Sequence, residues 1–401
     1  MLKIELIALY ALALVLPMFE APKNLLWIIY AVLWIANRSR TRDFGGPWTA
    51  WDTLISAWIV SGYAAAAFAG LHNNEWLSAF DILRYGSILL FLKRSRYEPV
   101  ALQRLLTCIA IGTAAALARG AYEHWVTKQH DLLGLNSVGH VNHSAIYIAI
   151  SFAAALAWLR AAWSAATAKG RIIWTLLVAA FGLALLAMPS RAAVAGAFIA
   201  ALAFLIVYSV RHGKHLKSVL VVAMIVVGVV LAARPEVVEK NQARLKENLF
   251  LSYRDGIWRT GVEAWRKYPL FGVGMGNFGR IDRTHLDEWS RARGEVLDQS
   301  RIHLTSHGHS LYLNTLAERG SVGLAALLAV LLAWAWTLAR CAPQSGDPPL
   351  KWAYWGGALG AWLIAVLVGL VNTTLHHEHA LISMLLLGGW LSLRAPGLKA
   401  R

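Results

Sequence analysis

The chain is a succession of apolar stretches, each close to twenty residues long and separated by short polar connectors. A run of that length, wound as a helix, covers the ~30 Å hydrocarbon thickness of a bilayer. In hydrocarbon every backbone polar group must find a partner within the protein, which leaves helices or closed barrels. No alternation of apolar and polar residues of the porin kind is present, so the pattern predicts an all-α, polytopic membrane protein. Twelve spans are expected, at 4–19, 23–37, 52–71, 77–92, 100–118, 143–160, 172–189, 192–210, 217–233, 311–339, 352–371 and 378–394.

One segment breaks this rhythm. Residues 234–310 are polar, rich in Lys and Arg, and close on Arg301-Ile302-His303 and Ser306-His307-Gly308-His309-Ser310. Three parts follow: 1–233 with nine spans, the loop 234–310, and 311–401 with three spans and a terminal tail. Alternate connectors and both termini hold nineteen Lys and Arg, while the short connectors on the opposite side hold only Lys23, Arg119, Lys128 and Arg191. The positive-inside rule then puts both termini in the cytoplasm and the long loop outside, in the periplasm of a Gram-negative cell; long loops translocate regardless of their charge. The net charge of +16 is thereby a topological signal and not one for nucleic acid. Residues 4–19 read as a first anchor, because no small-residue cleavage site follows them. Cys108 and Cys341 fall in a span and at a cytoplasmic end, too far apart in topology for a disulfide or a metal cluster.

Within the loop, 235–246 reads as a polar helix and 254–268 as an amphipathic helix stopped by Pro269. Gly272-Val273-Gly274-Met275-Gly276 superficially resembles a nucleotide fingerprint. It lacks a preceding strand and a following helix, so a tight turn leading back to the membrane is the expected reading. Arg84, one turn after Asp81, reads as a buried ion pair. His376-His377-Glu378-His379 sits in a short outer turn.

The chemistry is expected around cations and imidazoles. Arg191 follows Pro189-Ser190 between two apolar runs, where an arginine is costly unless it has a task. At the start of a helix it becomes an anion clamp, aided by free N–H groups and the helix dipole. Arg254, Arg259 and Arg266 lie along the amphipathic segment; lipid headgroups or a diphosphate are the ligands guanidinium suits. His309 is the expected general base, since an imidazole of ordinary pKa ~6.5 accepts a hydroxyl proton at neutral pH. His303 and His307 beside it complete the substrate-binding set. Those three histidines could also ligate zinc, but few carboxylates accompany them, and no metal or other cofactor is expected.

These residues resemble the O-antigen ligases of lipopolysaccharide assembly, a group related to O-antigen polymerases and protein O-oligosaccharyltransferases. The likeness rests on the long outer loop late in the chain, on Ser190-Arg191, on Tyr253-Arg254 with the segment through Phe278, and on His309-Ser310, nine residues, Gly320, two residues, Gly323. The resemblance implies a GT-C-like glycosyltransferase of the bacterial inner membrane. It implies metal-independent, inverting transfer of a polysaccharide from undecaprenyl diphosphate to a sugar hydroxyl of the lipid A core. Arg191 and Arg254 are then expected to hold the diphosphate, and His309 to take the proton. A polymerase or protein glycosylating enzyme with the same donor is the nearest alternative. A transporter of anionic or lipid-linked solutes is the alternative from another class; paired repeats and broken midplane helices, its usual signs, are not evident.

Overall fold

In the computed structural model of the protein, residues 2–213, 217 and 254–394 are described. Among them the architecture is helical throughout. In chain order the helices are α1 Leu2–Val15, α2 Glu20–Thr41, α3 Ala50–Ala67, α4 Glu75–Ser95, α5 Pro99–Ala121, α6 Val141–Ala162, α7 Ala168–Ala187, α8 Arg191–Arg211, α9 Arg254–Lys267, α10 Arg283–Arg291, α11 Leu311–Arg340, α12 Pro349–Leu363 and α13 His377–Leu393. Two π-helical turns, Tyr122–Val126 and Ile364–Val368, extend α5 and α12. Eleven of the twelve expected spans lie over these helices; 217–233, beyond its first residue, falls outside the described residues, as do the expected polar helix 235–246 and Tyr253.

Among the described residues, six helices are long and apolar enough to cross a membrane by length and composition: Pro99–Val126, Val141–Ala162, Ala168–Ala187, Arg191–Arg211, Leu311–Arg340 and Pro349–Val368. Of the others, α1 and α13 are shorter, with 14 and 17 residues, while α2 and α4, with 22 and 21, carry more polar and charged residues. Helix α13 is buried along nearly its whole length, between α4 and α12. It is apolar all round because it is covered all round. Small residues permit the closest approaches: a Cβ on Gly360 or Gly356 would meet the methyl of Ala153 or Ala157 at 2.4 and 2.5 Å, where α12 lies along α6.

The described part of the polar segment, from Arg254 on, is a folded cap with a core of its own. Ile257, Ala264, Val273, Phe278, Ile281, Leu286, Trp289 and Ile302 pack together, and Ala317 of α11 joins them. Helix α9 thereby lies against the first turns of α11. The cap is fastened where α11 breaks. Gly320 has φ 61° and ψ −165°, which interrupts the helix. The main-chain groups released there are taken up by the loop after α9. Val273 and Gly274 N–H donate to the carbonyls of Ala317 (2.9 Å) and Glu318 (3.0 Å), while Ser321 and Val322 N–H donate to those of Pro269 (2.8 Å) and Leu270 (3.2 Å). A broken helix at membrane depth survives only with such repayment. The expected tight turn at Gly272–Gly276 is this seam: Gly272, Gly274 and Gly276 all have positive φ. On its other side Gly70 and Leu71, just past α3, donate to Gly272 and Val273 carbonyls at 3.1 Å each.

Candidate active site

His309 stands at the foot of α11, on the residue before the helix N-cap. Ser310 is that cap: its side chain accepts from Leu313 N–H, and its hydroxyl donates to the Gly369 carbonyl at 3.3 Å. Leu311 N–H donates to the same carbonyl at 2.8 Å. Ser310 after the histidine therefore has a mechanical reason, because its side chain satisfies a first-turn N–H group. The backbone of His309 is left-handed, φ 45°, a region where histidine is found more often than most non-glycine residues. Gly308 N–H donates to Asn314 Oδ1 (2.8 Å), and a Cβ on Gly308 would come within 3.2 Å of Asn314 main chain and Phe278. The loop thus presses on the helix it feeds and fixes where the imidazole stands.

The ring of His309 is half-buried, 4.1 Å from that of His307 between centroids. Its Nδ1 is buried and has no hydrogen-bond partner among the described residues. Burial, followed by the neighbouring His307, Arg254, His140 and His303, pushes its pKa down to about 4. His309 is accordingly neutral at pH 7 and has a lone pair to accept a proton. His307 is also held below its ordinary value, by burial and then by His140. Its Nδ1 receives His309 N–H and meets the Thr373 hydroxyl, both at 3.4 Å.

Arg254 opens α9 and is half-buried, with its charge felt at His309. The register follows from Gly256, where a Cβ would meet His303 N at 3.0 Å and Arg301 O at 3.1 Å, and from Gly261, seated on Leu313 and Ala317 of α11. Arg259 is exposed and sits near Asp298. Arg266 is exposed and reaches Glu263 at 3.3 Å and Glu295 at 3.5 Å, at the far end of α9. His303 is exposed; its carbonyl accepts from the buried Thr260 hydroxyl at 3.4 Å. Arg191 is the first residue of α8, on an exposed position after the buried Ser190. Five residues on, a Cβ at Gly196 would meet Val368 at 2.8 Å. Val368 precedes the Gly369 carbonyl that Ser310 and Leu311 use, so the starts of α8 and α11 border one junction. Arg254, His307 and His309 come together directly. Arg191 shares with them only this junction of helix starts, and Arg266 stands apart in its carboxylate network.

Three features lay unread in the sequence. Glu318 and Arg319 sit at the α11 break. Asn314 Nδ2 donates to Glu318 at 3.0 Å, and buried Arg319 donates to the Ser61 hydroxyl and to the Trp58 carbonyl at 3.3 Å. Two charges inside an apolar run were the available signal. The third is His143, first turn of α6, whose Nδ1 lies 2.9 Å from His379 Nε2. The expected outer turn at 376–379 is the start of α13, folded against it. Among the described residues, the trio that brings three possible metal-ligand atoms within 4.8 Å is Asp81, His376 and His377, not the histidines at 303, 307 and 309. The expected pair of Arg84 with Asp81 is formed.

Residues 174–328 match the family model described as O-antigen ligase, Wzy_C. The match covers 155 of the 401 residues and supports an O-antigen ligase family assignment. The matched segment contains Arg191, Arg254, the cap, His309, the α11 break and Gly323. No curated protein matches the chain. This likeness to a glycosyltransferase-like family, with several membrane-length helices, supports an enzyme of multi-pass membrane type.

Proposed function

We propose that this O-antigen ligase family protein joins a glycan carried on undecaprenyl diphosphate to a sugar hydroxyl of the lipid A core, on the periplasmic face of the inner membrane. The carrying observation is the placement of a neutral, half-buried imidazole at the foot of α11 with a guanidinium on the facing helix. His309 takes the proton of the acceptor hydroxyl. The acceptor oxygen forms its bond to the anomeric carbon as the bond from that carbon to the diphosphate oxygen breaks, with inversion. The electron pair leaves on the diphosphate, where Arg254 and Arg191 stabilise the growing charge, the point at which fixed cations accelerate reaction most. Their guanidinium groups fill the role a divalent ion would otherwise take, so the step needs no metal. The long prenyl chain stays in lipid, which suits a phosphate site at helix ends. The twelve-span topology with both termini cytoplasmic and a GT-C-like arrangement belong to the same reading.

The test is reconstitution of the purified full chain with lipid-linked glycan and three separate acceptors: rough lipopolysaccharide, a second lipid-linked glycan, and a pilin-like protein. Glycan should move to rough lipopolysaccharide, and His309→Ala should lower the rate by at least about a hundredfold while the protein still inserts. Transfer to one of the other acceptors alone would make it a polymerase or a protein glycosylating enzyme, and full activity of His309→Ala would remove the base.

A further inference from the structure

His309 divides two unlike surroundings. One neighbour is the start of α9, from which the charge of Arg254 is felt at its ring. From the other, His307, imidazoles succeed one another away from the cap. His307 is 4.1 Å from His309, His143 is 6.2 Å from His307, and His377 and His376 are 6.0 and 6.2 Å from His143, all between ring centroids. They come from three separate elements: the loop before α11, the start of α6 and the start of α13. His377 is exposed and His307 is half-buried, so the row opens outward. It ends at Asp81, which lies with His376 and His377 in one group.

The row carries no surplus positive charge. Burial and the neighbours His377, His307 and Arg84 hold His376 well below its ordinary pKa, and His307 is lowered as well. The charged groups at its end are Lys23 and Arg84 against Glu20, Asp81 and Glu378, joined as Lys23 with Glu378, Lys23 with Glu20, and Arg84 with Asp81. Two cations thus face three carboxylates. Such a surface has no claim on a diphosphate, which the arginine side attracts. A neutral imidazole offers one donor and one acceptor, the same pair that a sugar hydroxyl offers in return.

We propose that the open members of this row, His307 and His377 with Asp81, backed by the buried His143 that His379 holds in place, form the acceptor subsite, binding an uncharged, polyhydroxylated stretch of sugar so that one hydroxyl meets His309. This rests on the transfer reading above and adds to it where the second substrate lies. The division of labour is physical: the anionic donor goes to guanidinium, the hydroxyl-rich acceptor to neutral imidazole and carboxylate, and the base stands between them. A divalent cation on Asp81, His376 and His377 is the competing use of the same groups. It is disfavoured because Arg84, paired with Asp81, sets a fixed positive charge beside any metal there, whereas the carboxylate's remaining lone pairs still accept a hydroxyl.

The experiment compares the full-length wild type with His377→Ala, His377→Gln and Asp81→Asn, using lipid-linked glycan and rough lipopolysaccharide, each varied in turn. His377→Ala should raise the acceptor KM about tenfold, the loss of one good hydrogen bond, with donor KM and kcat changed less than about twofold. His377→Gln, which keeps a donor and an acceptor, should recover part of the loss. An intact donor KM also shows that the variants fold. Equal rises in both KM values, or an unchanged acceptor KM, would overturn the subsite. So would zinc ions raising the melting temperature of wild type but not of His377→Ala, which would make the group a metal site. A wild type that glycosylates none of the sugar acceptors would instead overturn the ligase reading, and the subsite with it.

Discussion

Replacing Gly320 with alanine should release the cap from the bundle. At φ 61° and ψ −165° the residue occupies a region open almost only to glycine, where a side chain costs about 1–3 kcal/mol. The added Cβ would also lie 2.3 Å from the carbonyl carbon and oxygen of Leu270 and 2.5 Å from Phe271 N. These are backbone atoms of the strap that repairs the helix break, so no side chain can swing aside, and overpacking of this kind adds about 1–3 kcal/mol. Together they come to roughly 3 kcal/mol or more, which raises the population of undocked cap about a hundredfold. Trypsin reads that population, because cleavage follows the open form when closing is fast. The cap offers exposed arginines at 280, 283, 291 and 301. Gly320→Ala should therefore be cut in the cap about a hundred times faster than wild type and lose transfer, since α9 and His309 are positioned through this seam. Gly213→Ala is the control: its φ is 63°, but a Cβ there meets nothing within 4 Å. A Gly320→Ala protein whose cap is cleaved no faster than that of Gly213→Ala would refute the reasoning.

The remaining expectations concern the chemistry. His309 works only when unprotonated, so kcat/KM should climb with pH through its pKa and level off above it, with an acid limb near pH 4. Arg254 is one of the charges holding that pKa down, so Arg254→Gln should move the limb to higher pH; a limb that stays put in that variant would separate the two residues. Arg191→Lys should lower transfer about tenfold or more, because a point charge replaces a two-pronged donor; wild-type rates would make Arg191 a mere interfacial anchor. Chelator treatment should leave transfer intact, and a loss restored by zinc would return a metal to the mechanism.

Most helices were legible because hydrocarbon and buried core make the same demand on sequence: long apolar runs bounded by polar connectors. The runs at 143–160 and 192–210 lie within α6 and α8 for that reason. The same demand hid other things. Apolar periodicity cannot tell a helix facing lipid from one such as α13, enclosed by other helices. Nor did the long run from 311 to 339 betray its break, because glycine is common in membrane helices and its φ is set by what packs on it. Ser190-Arg191 and His309-Ser310 were readable as helix starts from cap chemistry and charge alone. The row through His143 and His377 was not, because its members are 234 positions apart in the chain.

The sequence by itself determined the helical class, the polar cap between two apolar blocks, and which side chains could carry charge or a proton. Tertiary structure decided their company. The strap at 269–274 repairs α11 at Gly320, the cap thereby rests on the bundle, and the charge of Arg254 comes to act on His309. The physical reason is that one residue's pattern encodes its own burial and local geometry, whereas a partner from a distant segment is chosen by where unsatisfied backbone groups and open surface happen to meet.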